Sequence, residues 1–228
     1  MFILAYLPRM ARKKLIRTKD FPYHIYARTN NQDWFIDKLD DIWSIYCDLL
    51  CILHYFYDCK IHSFIMMNNH FHLLISTPCE NIDDCMLYFM RESAREINLL
   101  FGKRSRVYGG RYKWSLIDND RYYYLIMKYI YMNPLKANMC DHVESYPYST
   151  LRMKVGLSKL DVPLSPFFDE FYKLSHPFQL AEYCNQGVSK SLDDVITKAL
   201  SKPVFKISSR VKKDFVNELE KETVGRKK

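Results

Sequence analysis

His70-Phe71-His72 places two imidazoles two residues apart. On an extended strand side chains alternate faces, so both rings project to one side while Phe71 and Leu73 project to the other. Two neutral imidazoles on one face can chelate a single cation, which suits Mn²⁺, Zn²⁺ or Fe²⁺, and with an amide or carboxylate as third donor they can also hold Mg²⁺. Two hydrogen-bonded sheet histidines satisfy the same pattern, and the pair by itself leaves both readings open. A second constellation is Tyr129-Ile130-Tyr131-Met132-Asn133. Residues four apart on a helix lie only about 40° apart around its axis, whereas residues two apart lie on opposite faces. Tyr129 and Asn133 therefore face one site and Tyr131 does not. Asn133-Pro134 is also a favoured start of a new helical turn, so the amide has a structural alternative as a cap.

The elements that would carry these residues follow from periodicity. Tyr23 to Arg28 is aromatic and β-branched and ends at Asn30-Asn31, which predicts a strand and a turn. Apolar residues at helical spacing predict a first helix from Asp37 to about Tyr57. Lys60 to Met67 and Phe71 to Thr77 predict a hairpin around Asn68-Asn69, residues that tolerate the positive φ of a tight turn. A second amphipathic helix is expected from Asn81 or Asp83 to about Phe101, then a short strand from Trp114 to Ile117 and a third helix from Asp120 to Met132. Pro163, Pro166 and Pro177 read as an irregular connection, and helices are expected over 192–200 and 208–221. The order β-α-β-β-α-β-α implies an α+β sandwich, an antiparallel sheet with helices packed mainly on one face.

Between the second helix and the fourth strand runs a basic loop. Lys103, Arg104, Arg106, Arg111 and Lys113 occur there with no acidic residue and with aromatics interleaved. Basic groups neutralise phosphates and aromatic faces stack on unpaired bases, a combination suited to single strands. A solvated surface loop has the same composition. The chain as a whole carries a formal net charge of +8, which is permissive for a polyanionic partner. The 48% hydrophobic content is that of a folded protein. Seven cysteines without a C-x-x-C pair suggest neither a disulfide framework nor a structural zinc site. No run is long enough to span a bilayer, and a cytoplasmic location is expected.

Taken together, Met67-Asn68-Asn69-His70-Phe71-His72-Leu73-Leu74, Gly110-Arg111-Tyr112, and Tyr129-Ile130-Tyr131-Met132-Asn133-Pro134-Leu135-Lys136-Ala137 followed by Tyr146-Pro147-Tyr148-Ser149 resemble the single-tyrosine HUH transposases. The closest likeness is to the REP-associated tyrosine transposases. Pro22-Tyr23-His24-Ile25 through Asn31 also fits that family's first strand. The resemblance implies a ferredoxin/RRM-like HUH fold over residues 10–152; Met10-Ala11-Arg12-Lys13-Lys14 reads as a natural start, which makes 1–9 an expected upstream extension, and 153–228, outside the resemblance, is expected as a C-terminal extension, helical in part. The resemblance implies that His70, His72 and Asn133 bind Mg²⁺ or Mn²⁺ and that Tyr129 is the nucleophile. It implies cleavage and rejoining of hairpin-containing single-stranded DNA through a 5′-phosphotyrosine, with Arg28 and the five basic loop residues as DNA contacts. A homodimer is compatible with this reading, and so is either arrangement of the tyrosine, within its own subunit or in a partner's.

Many members have proline and glutamate before the H-x-H pair, where this chain has Asn68-Asn69, and tryptophans where it has Tyr146-Pro147-Tyr148. Two other functions fit the same motifs: a non-catalytic, domesticated nucleic-acid-binding protein, and a metal phosphoesterase that uses activated water and tolerates loss of Tyr129. His24 and His62 are candidates for a general base by proximity in predicted strands. Lys202, Lys206, Arg210, Lys212 and Lys213 near the end of the chain form either a phosphate-contacting surface or a solvated helix.

Overall fold

The computed structural model describes residues 14–32, 36–165, 177–208 and 211. The expected extension over 1–9, almost all of the expected helix over 208–221 with Arg210, Lys212 and Lys213, and the basic tip over 225–228 lie outside the described residues. Within them a four-stranded antiparallel sheet runs in the order β2-β3-β1-β4, with β1 at Tyr23–Arg28, β2 at Lys60–Met66, β3 at His70–Ser76 and β4 at Lys113–Leu116. The fold is α+β, as the periodicity and the resemblance implied.

Strand alternation sorts the sheet into two faces. Tyr23, Ile25, Ala27, Phe71, Leu73, Ile75, Trp114 and Leu116 are buried in one core together with α1 (Leu39–Tyr57) and α2 (Ile82–Leu100). Tyr46, Phe64, Phe71 and Phe89 meet there with ring centroids 5.4 to 6.2 Å apart. Each such burial contributes roughly 2–3 kcal/mol, so this aromatic group is the anchor that fixes both helices on the sheet. α1 ends because Asp58 adopts a left-handed φ of 54°, which an aspartate tolerates, and its N–H and that of Cys59 both donate to the Leu53 carbonyl. The chain is thereby turned directly into β2. A β-bulge between Ile61 and Ser63 lets Ile61 and Phe64, three residues apart, share the same core.

The second face carries Ile65 and Leu74 and is covered by α3 (Asp120–Tyr131), which packs on β2 and β3. The short α4 (Asn133–Lys136) continues α3 across Met132, and α5 (Thr150–Lys154) docks on the edge of β2. Beyond these, α6 (Pro177–Asn185) and α7 (Lys190–Leu200) bury Leu180, Cys184, Leu192 and Ile196 in the same cluster as α3. Pro177 opens α6, a first helical position that suits proline, while most of the expected irregular connection, with Pro166, lies outside the described residues.

Both sheet edges are closed by chain that follows α3. On the β2 side Met66 N donates to the Tyr148 carbonyl at 3.0 Å, and the Thr150 hydroxyl bonds both N and O of Phe64. On the β4 side Leu116 N donates to Pro203 O and Phe205 N to Leu116 O, at 2.9 and 2.8 Å. Unpaired strand edges are templates for aggregation, and these contacts remove them. Among the described residues no helix is long and apolar enough to cross a membrane.

Candidate active site

The β2–β3 hairpin forms as expected, with Met67 N donating to His70 O at 2.7 Å, but neither Asn68 nor Asn69 takes a positive φ. Their value lies elsewhere. The Asn69 carbonyl accepts from both the backbone N–H and the hydroxyl of Thr29, which ties the turn to the end of β1. Its side-chain oxygen lies 2.7 Å from His70 Nδ1. A carboxamide oxygen only accepts, so His70 carries its proton on Nδ1 and keeps the Nε2 lone pair.

His70 and His72 project together from β3, with ring centroids 5.2 Å apart. β1 lies alongside in a register that pairs Arg28 with His70 and Tyr26 with His72, so His24, Tyr26 and Arg28 share this face. His24 Nε2 is 2.9 Å from His72 Nδ1, and the two rings stack. With the shared proton on His72 Nδ1, the His72 Nε2 lone pair is also left uncommitted. Both rings are only 4% exposed. Burial, which penalises a charged ring, lowers His24 to about 3 and His70 to about 4, and together with its imidazole neighbours drives His72 well below the ordinary value. All three are neutral at pH 7, the form in which imidazole binds a cation.

Tyr129 reaches the same cluster from α3. Its ring stands edge-on to His72 at 5.9 Å and to His24 at 6.1 Å. Burial raises its phenol above the ordinary value. Tyr131 points the other way, fully buried with its hydroxyl 3.0 Å from Thr150 Oγ1, in agreement with the helical spacing.

The Asn133 side chain caps the end of α3. Its Nδ2 donates to the carbonyls of Tyr129 and Ile130 at 2.9 and 3.1 Å, groups that the end of α3 leaves without helical partners. No side-chain bond caps the N-terminus of α4. The nitrogen is thus committed and the carboxamide oxygen stays available as a donor to a cation. Among the described residues no three His, Cys, Asp or Glu side chains gather into a metal cage. His24 spends its Nε2 on His72, so among the described residues of this cluster the Nε2 atoms of His70 and His72 remain as imidazole donors. Two neutral imidazoles on one face suit a divalent ion that takes oxygen donors as its other ligands.

The family model described as IS200-like transposase matches residues 17–133, just over half of the chain. The chain belongs to the IS200-like transposase family. No curated protein matches the chain. Among solved structures, a REP-associated tyrosine transposase bound to a REP hairpin is similar at 19% identity and a TM-score of 0.53, covering 70% of this chain and 96% of that one. A Deinococcus radiodurans R1 protein assigned as a transposase matches at 19% identity and a TM-score of 0.36, covering 57% and 97%. The first of these shares the fold of this IS200-like family member.

The expected DNA contacts divide into two groups. Arg28 and Lys113 place their charges 5.6 and 5.8 Å from the ring centroid of Tyr26, which itself lies 5.3 and 4.9 Å from His70 and His72. These two cations adjoin the imidazole cluster. Lys103 instead sits over Phe101 and Arg111 over Tyr112, while Arg104 and Arg106 are exposed in the loop. The aromatics interleaved in the loop are not free to stack on bases. Tyr108, Tyr112 and Trp114 are buried in the first core, and the Tyr108 hydroxyl is within 2.8 Å of Tyr46 and 2.7 Å of Ser93. Alternation explains this, since strand and bridge positions face the core at every second residue.

Of the two candidate bases, His62 is engaged elsewhere on the sheet and His24 adjoins Tyr129. His62 Nε2 is 2.8 Å from Ser76 and its Nδ1 is 3.0 Å from the Tyr123 hydroxyl. His24 touches the site but, lowered to about 3, is too weak a base to hold a phenol proton. Sequence reasoning missed Tyr26, which adjoins the pair only because β1 and β3 pair across the fold, and the role of His24 as the partner of His72.

Proposed function

We propose that this chain is a metal-dependent single-strand DNA endonuclease and transposase, which cleaves and rejoins hairpin-containing DNA through a 5′-phosphotyrosine on Tyr129. The observation that carries the reading is the convergence of His70, His72 and Tyr129 on one sheet face within one chain, with the Tyr129 ring 5.9 Å from that of His72. His70 and His72 through Nε2, and Asn133 through its side-chain oxygen, would hold Mg²⁺ or Mn²⁺. When bound, such an ion polarises the scissile phosphate and offsets charge that develops on it.

The chain's own residues supply the rest. Tyr129 Oη attacks phosphorus in line and displaces the 3′ oxygen; its proton leaves to solvent and a 3′-OH is released. Because the aryl phosphodiester conserves the bond energy, a 3′-OH can later attack it, rejoining DNA and returning the phenol. Arg28 and Lys113, both over the ring of Tyr26 beside the imidazoles, neutralise phosphates next to the site. The likeness to a transposase bound to a REP hairpin supports hairpin DNA as the partner.

The test is incubation of the purified protein and Mn²⁺ or Mg²⁺ with a labelled single-stranded oligonucleotide carrying the hairpins that flank its own gene. Wild type is expected to form a covalent adduct that EDTA abolishes, and Tyr129→Phe to form none. A folded wild type without adduct overturns the enzymatic reading in favour of a binding protein. Cleavage that survives Tyr129→Phe assigns the nucleophile to water.

A further inference from the structure

We propose that helix α7, which lies outside the region matched by the family, is a working part of this site, with Thr197 and Asp193 as positioning residues for Tyr129. The inference rests on Tyr129 being the nucleophile.

The helix is fixed before it touches the site. Ser189 caps it by accepting from Leu192 N, and its apolar stripe, Leu192, Ile196 and Ala199, is buried against the α3 cluster. Asp193 and Thr197 are four residues apart and each follows a stripe residue, so burying the stripe brings both to the α3–α4 side. There Thr197 Oγ1 lies 3.4 Å from Tyr129 Oη. Asp193 forms an ion pair with Lys136 of α4, in which both side chains are only about a quarter exposed, at 24% and 25%. The same Lys136 ammonium stands 4.0 Å from the centroid of the Tyr129 ring.

Tyr129 is therefore held on three sides. The rings of His24 and His72 stand perpendicular to it on one side, the ammonium lies over its ring, and the Thr197 hydroxyl meets its oxygen. A cation over an aromatic face is attractive, and Asp193 prevents the ammonium from swinging into solvent. An in-line attack gains rate when its nucleophile is confined to a near-attack geometry. In this chain α7 supplies that confinement, directly through Thr197 and through Lys136 by way of Asp193.

The test uses the full-length chain with fluorotyrosine at all tyrosines, the Tyr129 resonance being assigned by Tyr129→Phe. Thr197→Ala and Asp193→Asn are expected to broaden or split that resonance while the melting temperature holds. At saturating hairpin oligonucleotide and Mn²⁺, each is expected to slow single-turnover adduct formation about fivefold, the equivalent of one neutral hydrogen bond, with oligonucleotide affinity unchanged. Thr197→Ser restores both signals. The exchanged pair Lys136→Asp with Asp193→Lys is expected to keep the melting temperature of wild type but not its rate, because it sets a carboxylate over the ring. Adduct rates unchanged in Thr197→Ala and Asp193→Asn, or a rate rescued by the exchanged pair, overturn the proposal. If wild type forms no adduct, the nucleophile reading fails, and the fluorine spectra still decide whether α7 holds the ring: an unperturbed Tyr129 resonance in both variants overturns that as well.

Discussion

Replacing His24 by phenylalanine isolates the second imidazole of the site from the rest of the fold. Phenylalanine fills nearly the same buried volume and keeps a ring stacked on His72 and edge-on to Tyr129, so packing changes little. What disappears is the 2.9 Å hydrogen bond to His72 Nδ1. A buried N–H left without an acceptor costs about 1–3 kcal/mol, and the His72 ring is freed to move its proton to Nε2, which withdraws the lone pair from a cation. Loss of a partner behind a metal-ligating histidine typically weakens metal binding by about 10–100-fold. Titration calorimetry with Mn²⁺ at pH 7.5 is therefore expected to show affinity reduced within that range for His24→Phe. His24→Gln, whose side-chain oxygen can accept the same bond, should recover most of it. Unchanged Mn²⁺ affinity in His24→Phe would refute the argument that His72 presents Nε2 to a metal by virtue of His24.

Three further outcomes follow from the structure. His24 and His62 are lowered to about 3 and His70 to about 4, against about 6.5 in the unfolded chain, so the unfolded state binds more protons between those values and stability rises with pH across that window. Their contribution is complete above pH 6.5 and is lost as the pH falls toward 3–4, by about 1 kcal/mol per pH unit for each fully buried ring; a urea midpoint constant from pH 6.5 to 5 would contradict this. Arg28→Ala and Lys113→Ala should each reduce the slope of log affinity against log salt for single-stranded DNA by about 0.7, the share of one phosphate contact, as read by fluorescence anisotropy. Thr150→Val strips the Phe64 backbone and the Tyr131 hydroxyl of a shared buried partner and should cost about 2 kcal/mol in chemical denaturation, a loss that an unaltered midpoint would disprove.

The local part of this protein was legible from residue order. Period-two alternation is set by the strand itself, so it fixed that His70 and His72 share a face, and the 3.6-residue repeat fixed that Tyr129 and Asn133 face together while Tyr131 turns away. The same periodicities located β1–β4 and α1–α3 to within a residue or two, because each element carries its own apolar stripe. They could not show that the aromatics of the basic loop are core residues, since loop composition does not reveal which strand edge a segment joins.

What tertiary structure alone decided lies in contacts between residues far apart in the chain. His24 stands behind His72, and Tyr26 between Arg28 and Lys113, because β1 inserts between β3 and β4, an order that no local pattern encodes. Asn133 turns its nitrogen onto the carbonyls of α3 and so keeps its oxygen, a choice between two rotations of one amide that only the surrounding geometry makes. Asp193 and Thr197, more than sixty residues beyond Tyr129, fall in sequence on an expected helix over 192–200 with no link to the site, and become neighbours of Tyr129 and Lys136 only when the apolar stripe of that helix is buried on α3. Secondary structure is written in short-range periodicity, whereas a site assembled from separate elements depends on which surfaces meet when the core closes.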